Sequence, residues 1–113
     1  MTPKEFEKYL RRDKYCWHCG RSEDLIPHHR ANRGAGGKNA KANQVANIIV
    51  MCAEINGLME SDAAWAATAR LNGWKISSFD DPTFRPVYDA YGGGWWVLEN
   101  DFAKLAAVNL NTR

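Results

Sequence analysis

Two adjacent histidines, His28 and His29, are the residues in the sequence best suited to chemistry. They follow a short apolar stretch, Leu25-Ile26, which predicts a β-strand that ends at the pair. Because neighbouring side chains of a strand point to opposite sides, the two imidazoles can perform different tasks. One can hold a cation, while the other, with an ordinary pKa of about 6.5, can accept a proton. Phosphodiester hydrolysis needs both, on opposite sides of the phosphorus.

Two asparagines and a glutamate further along the chain supply the other groups that this reaction needs. Asn47 lies at the start of a second apolar strand, Ile48 to Met51, where its amide is placed to fix the tautomer of the histidine that accepts the proton. Asn56, on the helix predicted after that strand, offers an amide oxygen to Mg²⁺ or Mn²⁺. Glu60 shares the helical face of Asn56 and is either a further ligand or its partner, or a solvent-exposed glutamate.

Basic residues follow the histidine pair. Arg30 is predicted to clamp a phosphate oxygen, the alternative being one more surface arginine. Segment 33–41 combines glycines, which let backbone amides approach phosphates, with basic side chains that attract a nucleic-acid backbone. The alternative is that this segment is only a linker. Through residue 41 the chain has ten Lys/Arg and five Asp/Glu, against five and eight in the remainder, so either a polyanion binds this half or it is a charged solvated face. The candidate nucleic-acid contacts are Arg30, Arg33, Lys38 and Lys41.

Three cysteines form a separate group of candidate ligands: Cys16, Cys19 and Cys52. The spacing of the first two is that of half a zinc site, and an odd count argues against a disulfide framework. A closed structural zinc site normally has four protein ligands, so the fourth donor would have to be His18, a remote side chain or water. A thiol oxidoreductase is disfavoured, because the βαβ context of such a CxxC motif is missing.

The elements expected around these residues form one small α+β domain spanning 1–113. A capping threonine, an early proline and Glu5 predict the start of the first helix. Tryptophans in the second half are expected to pack rather than to stack on bases. The expected elements are a helix at 3–12, a strand–loop–strand–helix core at about 24–60, a helix and a hairpin (87–91 with 95–98) within 62–98, and a last helix at 101–110.

Composition limits the class of protein further. The hydrophobic share of 45% and the charged share of 25% are ordinary for a globular domain. The longest apolar run, 48–53, is far shorter than the roughly 20 residues of a membrane span. The charged, amphipathic N-terminal sequence lacks the apolar stretch of a signal peptide, which favours a cytoplasmic protein with reduced thiols.

The runs LIPHHR and ANIIVMCAEIN together resemble the HNH endonuclease signature, and the segments INGLMESDAAWAATARLNGWKISSFDDP and PVYDAYGGGWWVL are similar to small HNH proteins of actinobacterial phages. The resemblance covers about residues 14–98. It implies a ββα-metal core in which His28 and Asn56 hold the metal, His29 is the general base and Asn47 orients it. Many such relatives also have four zinc-binding cysteines, whereas here Ile55 stands at the fourth position. Without zinc, Ile55 is expected to join Trp17 and the cysteines in an apolar cluster.

The resemblance implies an endonuclease that nicks or cuts duplex DNA with one divalent cation, Mg²⁺ or Mn²⁺. Its expected partners are DNA and a larger phage protein complex, and its expected location is the cytoplasm, that of the host if the gene belongs to a bacteriophage. The alternative is a non-catalytic nucleic-acid-binding module, or a phage assembly or packaging accessory, on the same fold. His29 separates the two hypotheses, because a binding module needs no base there.

Overall fold

The computed structural model of the chain describes residues 1–32 and 42–107. In these ranges three helices and two small antiparallel sheets form an α+β fold, which confirms the expected class. None of these helices is long and apolar enough to cross a membrane. The elements are α1 (Pro3–Asp13), β1 (Leu25–His29), β2 (Ile48–Cys52), α2 (Ala53–Ser61), α3 (Ala63–Leu71), β3 (Val87–Tyr88), β4 (Trp95–Leu98) and β5 (Lys104–Ala106), with a short 3-10 helix at Val45–Asn47.

Helix α1 begins as its sequence predicts. The Thr2 hydroxyl accepts a hydrogen bond from the backbone N–H of Glu5 at 3.1 Å, and the Glu5 carboxylate accepts one from the backbone N–H of Thr2. At the other end, a buried ion pair of Arg12 and Asp13 docks the helix on β2. Asp13 accepts from the backbone N–H of Val50 at 3.0 Å, and Arg12 donates to the carbonyl of Ile48 at 2.6 Å. Helix α1 is therefore joined to the strand that positions the histidine pair.

Strands β1 and β2 form an antiparallel pair in which His28 lies opposite Ile49 and His29 opposite Ile48. Every residue of β2 is buried, and the residues from Ile48 to Met51 alternate between two apolar clusters. Ile49 and Met51 pack in the larger cluster, whereas Ile48 and Val50 pack with Tyr9 of α1. This alternation follows from the two-residue period of a strand. Helix α2 follows β2 directly, so the order strand, strand, helix expected for residues 24–60 is observed.

The chain after α2 returns to the β1–β2 pair. Asp62 caps α3 by accepting hydrogen bonds from the backbone N–H groups of Ala64 and Trp65 at 2.8 and 3.1 Å. Gly73 then reverses the chain at a φ of +75°, and the fully buried Trp74 enters the larger cluster. The tryptophan confirms the expectation of core packing at this position.

The second sheet has the strand order β3-β4-β5. Its first two strands form the predicted hairpin, with Val87 opposite Trp96, although β3 is shorter than expected. The prediction of a helix at 101–110 is wrong for the described residues of that segment. Lys104–Ala106 is strand β5, and its Ala106 pairs with Trp96. Residues 108–110 lie outside the described part. Pairing with the open edge of β4 satisfies backbone groups that a weak local helical preference cannot outweigh.

Candidate functional site

The imidazole of His28 is held through both of its nitrogens. Its Nδ1 lies 2.8 Å from Oδ1 of Asn56 on α2, and its Nε2 lies 2.7 Å from the carbonyl oxygen of Trp74. Because a carbonyl oxygen can only accept, Nε2 carries the hydrogen that it donates to Trp74. Burial lowers the pKa of His28, which favours the neutral ring. In that ring Nδ1 is an acceptor that faces a second acceptor, Oδ1 of Asn56, and only a shared proton or a cation between the two atoms satisfies both.

His29 differs from its neighbour in exposure, since it is partly exposed whereas His28 is buried. It borders a cleft of about 250 Å³ and a groove of about 480 Å³ on the side of α1. The groove reaches Glu5 and Tyr9 of that helix. The cleft is lined by Pro27, His28, His29, Asn32, Asn56 and Glu60. The structure thus gathers the two histidines, Asn56 and Glu60, all of them proposed from the sequence, around one opening.

Lys75 is a charged neighbour of the cleft that the sequence did not mark. Its Nζ lies 3.5 Å from Oε2 of Glu60, and its side chain is 15% exposed against 51% for the glutamate. Both charges act on the pKa of His28, although burial is the larger cause: Lys75 lowers it and Glu60 raises it. A single lysine between Trp74 and Ile76 shows no pattern that sequence reasoning could use. Only the reversal of the chain after α3 brings it to the cleft.

Asn47 is fully buried and bonds to the backbone on both sides of the segment that leads away from His29. Its Oδ1 accepts from the N–H of Ala31 at 2.8 Å, and its Nδ2 donates to the carbonyls of Ala31 and Ala42 at 3.1 and 2.9 Å. The sequence predicts that this amide holds an imidazole of the histidine pair directly. The observed bonds correct that detail, because they fix the backbone two residues after His29.

Arg30 is 1% exposed, and its guanidinium donates only to backbone carbonyls in the bonds that the structure shows. Burial lowers the pKa of Arg30 to about 9, so the group stays protonated at neutral pH. Its hydrogen bonds join the end of β1 to the chain after α3, and they leave no exposed face for a phosphate. The predicted phosphate clamp is therefore wrong. The accepting carbonyls belong to Ala46, Gly73, Pro82, Arg85 and Pro86.

The remaining candidates for nucleic-acid contacts are Arg33, Lys38 and Lys41. All three lie outside the described residues, so their role stays a prediction. The segment that contains them joins β1 to the 3-10 helix before β2, and Asn47 bonds to Ala31 and Ala42 just outside its two ends.

The three cysteines come together at the opposite end of the β1–β2 pair. Their Sγ atoms all lie within 4.8 Å of one another, so the cluster could hold a metal ion. Those of Cys19 and Cys52 are 3.9 Å apart. Ile55 packs with Cys16, Trp17 and Cys52 in the larger apolar cluster. Among the described residues, no histidine, cysteine or carboxylate joins the three sulfurs at this spacing.

The environments of the thiols differ. Burial raises the pKa of Cys16 to about 11, and the backbone N–H of His18 donates to its Sγ at 3.4 Å. Burial also acts to raise the pKa of Cys19, but hydrogen bonds from the backbone of Arg21 and from the other two cysteines lower it overall. The ring of His18 lies edge-on to those of Trp65 and Trp74, at 5.1 and 5.5 Å between centroids. Its position among these tryptophans explains why it is not part of the sulfur cluster.

Comparisons with family models, with curated proteins and with solved structures give no match to this chain. The residues and their geometry therefore carry the functional argument. They offer two separate clusters at opposite ends of one strand pair, the cleft around His28 and His29 and the cluster of three cysteines.

Proposed function

We propose that the protein is a metal-dependent endonuclease of the HNH type that hydrolyses phosphodiester bonds of DNA. The observation that carries the proposal is the 2.8 Å separation of His28 Nδ1 and Asn56 Oδ1 in a cleft that His29 also lines. Adjacent ligands of an octahedral Mg²⁺ ion, each about 2.1 Å from it, are about 3 Å apart. The donor types also fit, because Mg²⁺ and Mn²⁺ accept neutral oxygen ligands and Mn²⁺ accepts an imidazole as well.

His28 and Asn56 would hold the divalent cation, and Glu60 at the same cleft would be a third ligand or the partner of one. When bound, the cation supplies positive charge for the phosphate and for the leaving oxygen. The hydrogen bond from His28 Nε2 to Trp74 keeps Nδ1 unprotonated and fixes the orientation of the ring. The backbone carbonyl of Trp74 therefore holds the ring of His28 in place before a cation binds.

His29 is the general base in this proposal. Its imidazole borders the cleft from a partly exposed position, where water can reach it. A neutral imidazole there removes the proton from the attacking water as the oxygen approaches phosphorus. Asn47 supports this step through the backbone, since its three hydrogen bonds hold the chain directly after His29 and Arg30.

Lys75 takes the role that the sequence suggested for Arg30. Its ammonium group lies next to Glu60 and close enough to His28 to affect its pKa, so it can attract a phosphate to the cleft. Lysine binds phosphate as a point charge and needs no bidentate geometry. A phosphate that displaces the Glu60 carboxylate from Lys75 also releases that carboxylate for the cation.

Two further features support the proposal. The order β1, β2, α2 is that of the ββα-metal core that the sequence resembles. The basic excess of the first half of the chain suits a DNA backbone as partner. Reduced cysteines suit work in the cytoplasm, which is that of the host if the protein is encoded by a phage and acts within a larger phage complex.

The test is cleavage of supercoiled plasmid in Mg²⁺, in Mn²⁺ and in EDTA, with wild type compared with His29→Ala. We expect nicking by wild type that needs the metal and falls at least a hundredfold in the variant. Glu54→Gln, an exposed change in the first turn of α2, is the control and should cleave as wild type does. Nicking that survives in His29→Ala would exclude His29 as the general base. Plasmid binding without cleavage by wild type would support the non-catalytic binding module instead.

A further inference from the structure

The cysteine cluster at the far end of the β1–β2 pair has the dimensions of a metal site. Zinc–sulfur bonds of about 2.3 Å in a tetrahedral site place two sulfurs about 3.8 Å apart. The Sγ atoms of Cys19 and Cys52 are 3.9 Å apart, and Cys16 completes a triangle with no side above 4.8 Å. The ligands come from two stretches of chain that only the folded strand pair brings together. Three thiols so placed need little movement to bind one ion.

The surroundings of the cluster offer partners for the negative charge that metal-bound sulfurs carry. Cys52 is the N-cap residue of α2, where the partial positive charge of a helix end lies. The backbone N–H of His18 donates to Cys16 Sγ. The guanidinium of Arg21, which also lies 3.6 Å from Glu54, is within hydrogen-bonding reach of Cys52. Three thiolates and a divalent ion carry one net negative charge, which this arginine can balance.

Within residues 1–32 and 42–107, no histidine, cysteine or carboxylate occupies the fourth corner of the cluster. Ile55 follows Cys52 at the same spacing that separates Cys16 from Cys19, and it is buried at 6% exposure in the apolar cluster. No other candidate ligand in the described ranges, His18 included, completes the set. The most exposed of the three cysteines is Cys19, so solvent reaches the cluster from its side.

From these observations we propose that Cys16, Cys19 and Cys52 bind one Zn²⁺ ion as an open three-thiolate site, whose fourth ligand is water or a small donor from solution. The ion joins the turn before β1 to the start of α2, the helix that carries Asn56. Binding to the folded state alone therefore stabilises the protein. The inference does not depend on the proposed nuclease activity.

Cobalt titration of the metal-free, reduced full chain tests the site. Co²⁺ should bind in a one-to-one ratio with thiolate-to-metal absorption in the near ultraviolet and tetrahedral bands in the visible. An added thiol such as 2-mercaptoethanol should shift the visible bands, because it enters the open position. Cys19→Ser should weaken binding at least tenfold, whereas the neighbouring Ser22→Ala should leave it unchanged.

Ile55→Cys provides the matched gain-of-ligand variant. It should tighten Zn²⁺ binding at least tenfold and make the cobalt spectrum insensitive to the added thiol. If this variant does not fold, the wild-type response to thiol still decides the question. Absence of thiolate absorption in wild type would overturn the site, and a wild-type spectrum that ignores added thiol would overturn its open position. These readouts are spectroscopic, so their failure leaves the plasmid test untouched.

Discussion

The imidazole Nδ1 of His28 on β1 faces the side-chain oxygen of Asn56 on α2 at a distance of 2.8 Å. The ring is fixed from its other side by the carbonyl of Trp74 at 2.7 Å. Three stretches of the chain that are distant in sequence therefore define the orientation of one candidate ligand pair. The strength of cation binding should depend on this pair more than on the charge of the cleft.

Replacement of Asn56 tests this dependence. Asn56→Asp keeps the shape and adds a charged ligand, so Mn²⁺ should bind several-fold tighter, whereas Asn56→Leu should abolish specific binding. Isothermal titration with Mn²⁺ measures both. Asn43→Asp is the control, because it adds the same charge in the groove on the other side of His29. Equal tightening by both aspartates would show that general charge, and not ligation at residue 56, governs affinity.

Lys75 should govern DNA binding through its charge. In a His29→Ala background, Lys75→Met should weaken duplex binding and reduce the slope of log affinity against log salt by about one. Fluorescence anisotropy of a labelled duplex at several salt concentrations measures the slope. Lys104→Met is the matched control, since that ammonium lies over the rings of Trp17 and Trp96. An unchanged slope for Lys75→Met would exclude Lys75 as a phosphate contact.

Arg30 should contribute to stability and not to phosphate binding. Arg30→Met leaves several buried carbonyls without their donor, and we expect it to lower the free energy of unfolding by more than about 3 kcal/mol. Urea denaturation measures the loss. Arg85→Met removes only a partly exposed pair with Asp80 and should cost less than about 1 kcal/mol. Similar losses for the two arginines would contradict the structural role.

Two glycines should respond to alanine with opposite signs. At Gly73, with a φ of +75°, an added Cβ would clash with the carbonyl oxygen of Pro86, so Gly73→Ala should destabilise by more than about 1 kcal/mol. At Gly57, inside α2, the position is open, and Gly57→Ala should stabilise by about 0.5–1 kcal/mol. Thermal unfolding compares the two. A stable Gly73→Ala would mean that the turn before Trp74 is not as tight as the structure shows.

Much of the fold follows from local signals. The capping pattern of Thr2 and Glu5 marks the start of α1, and apolar runs mark β2 and the 95–98 strand. The errors lie where partners are remote. The helix expected at 101–110 gave way to β5 because the edge of β4 was available, and no pattern within the segment reveals that edge.

The sequence by itself determined which residue types could perform the chemistry: two histidines at a strand end, an asparagine on the next helix and three cysteines. These follow from spacing along the chain, and spacing is local. Only the tertiary structure decided their roles, because burial and hydrogen-bond partners come from segments distant in sequence. It turned Arg30 inward to five carbonyls, placed Lys75 at the cleft and set His28 between Asn56 and Trp74. The adjacent residues His28 and His29 differ in exposure because different segments of the chain pack against each of them.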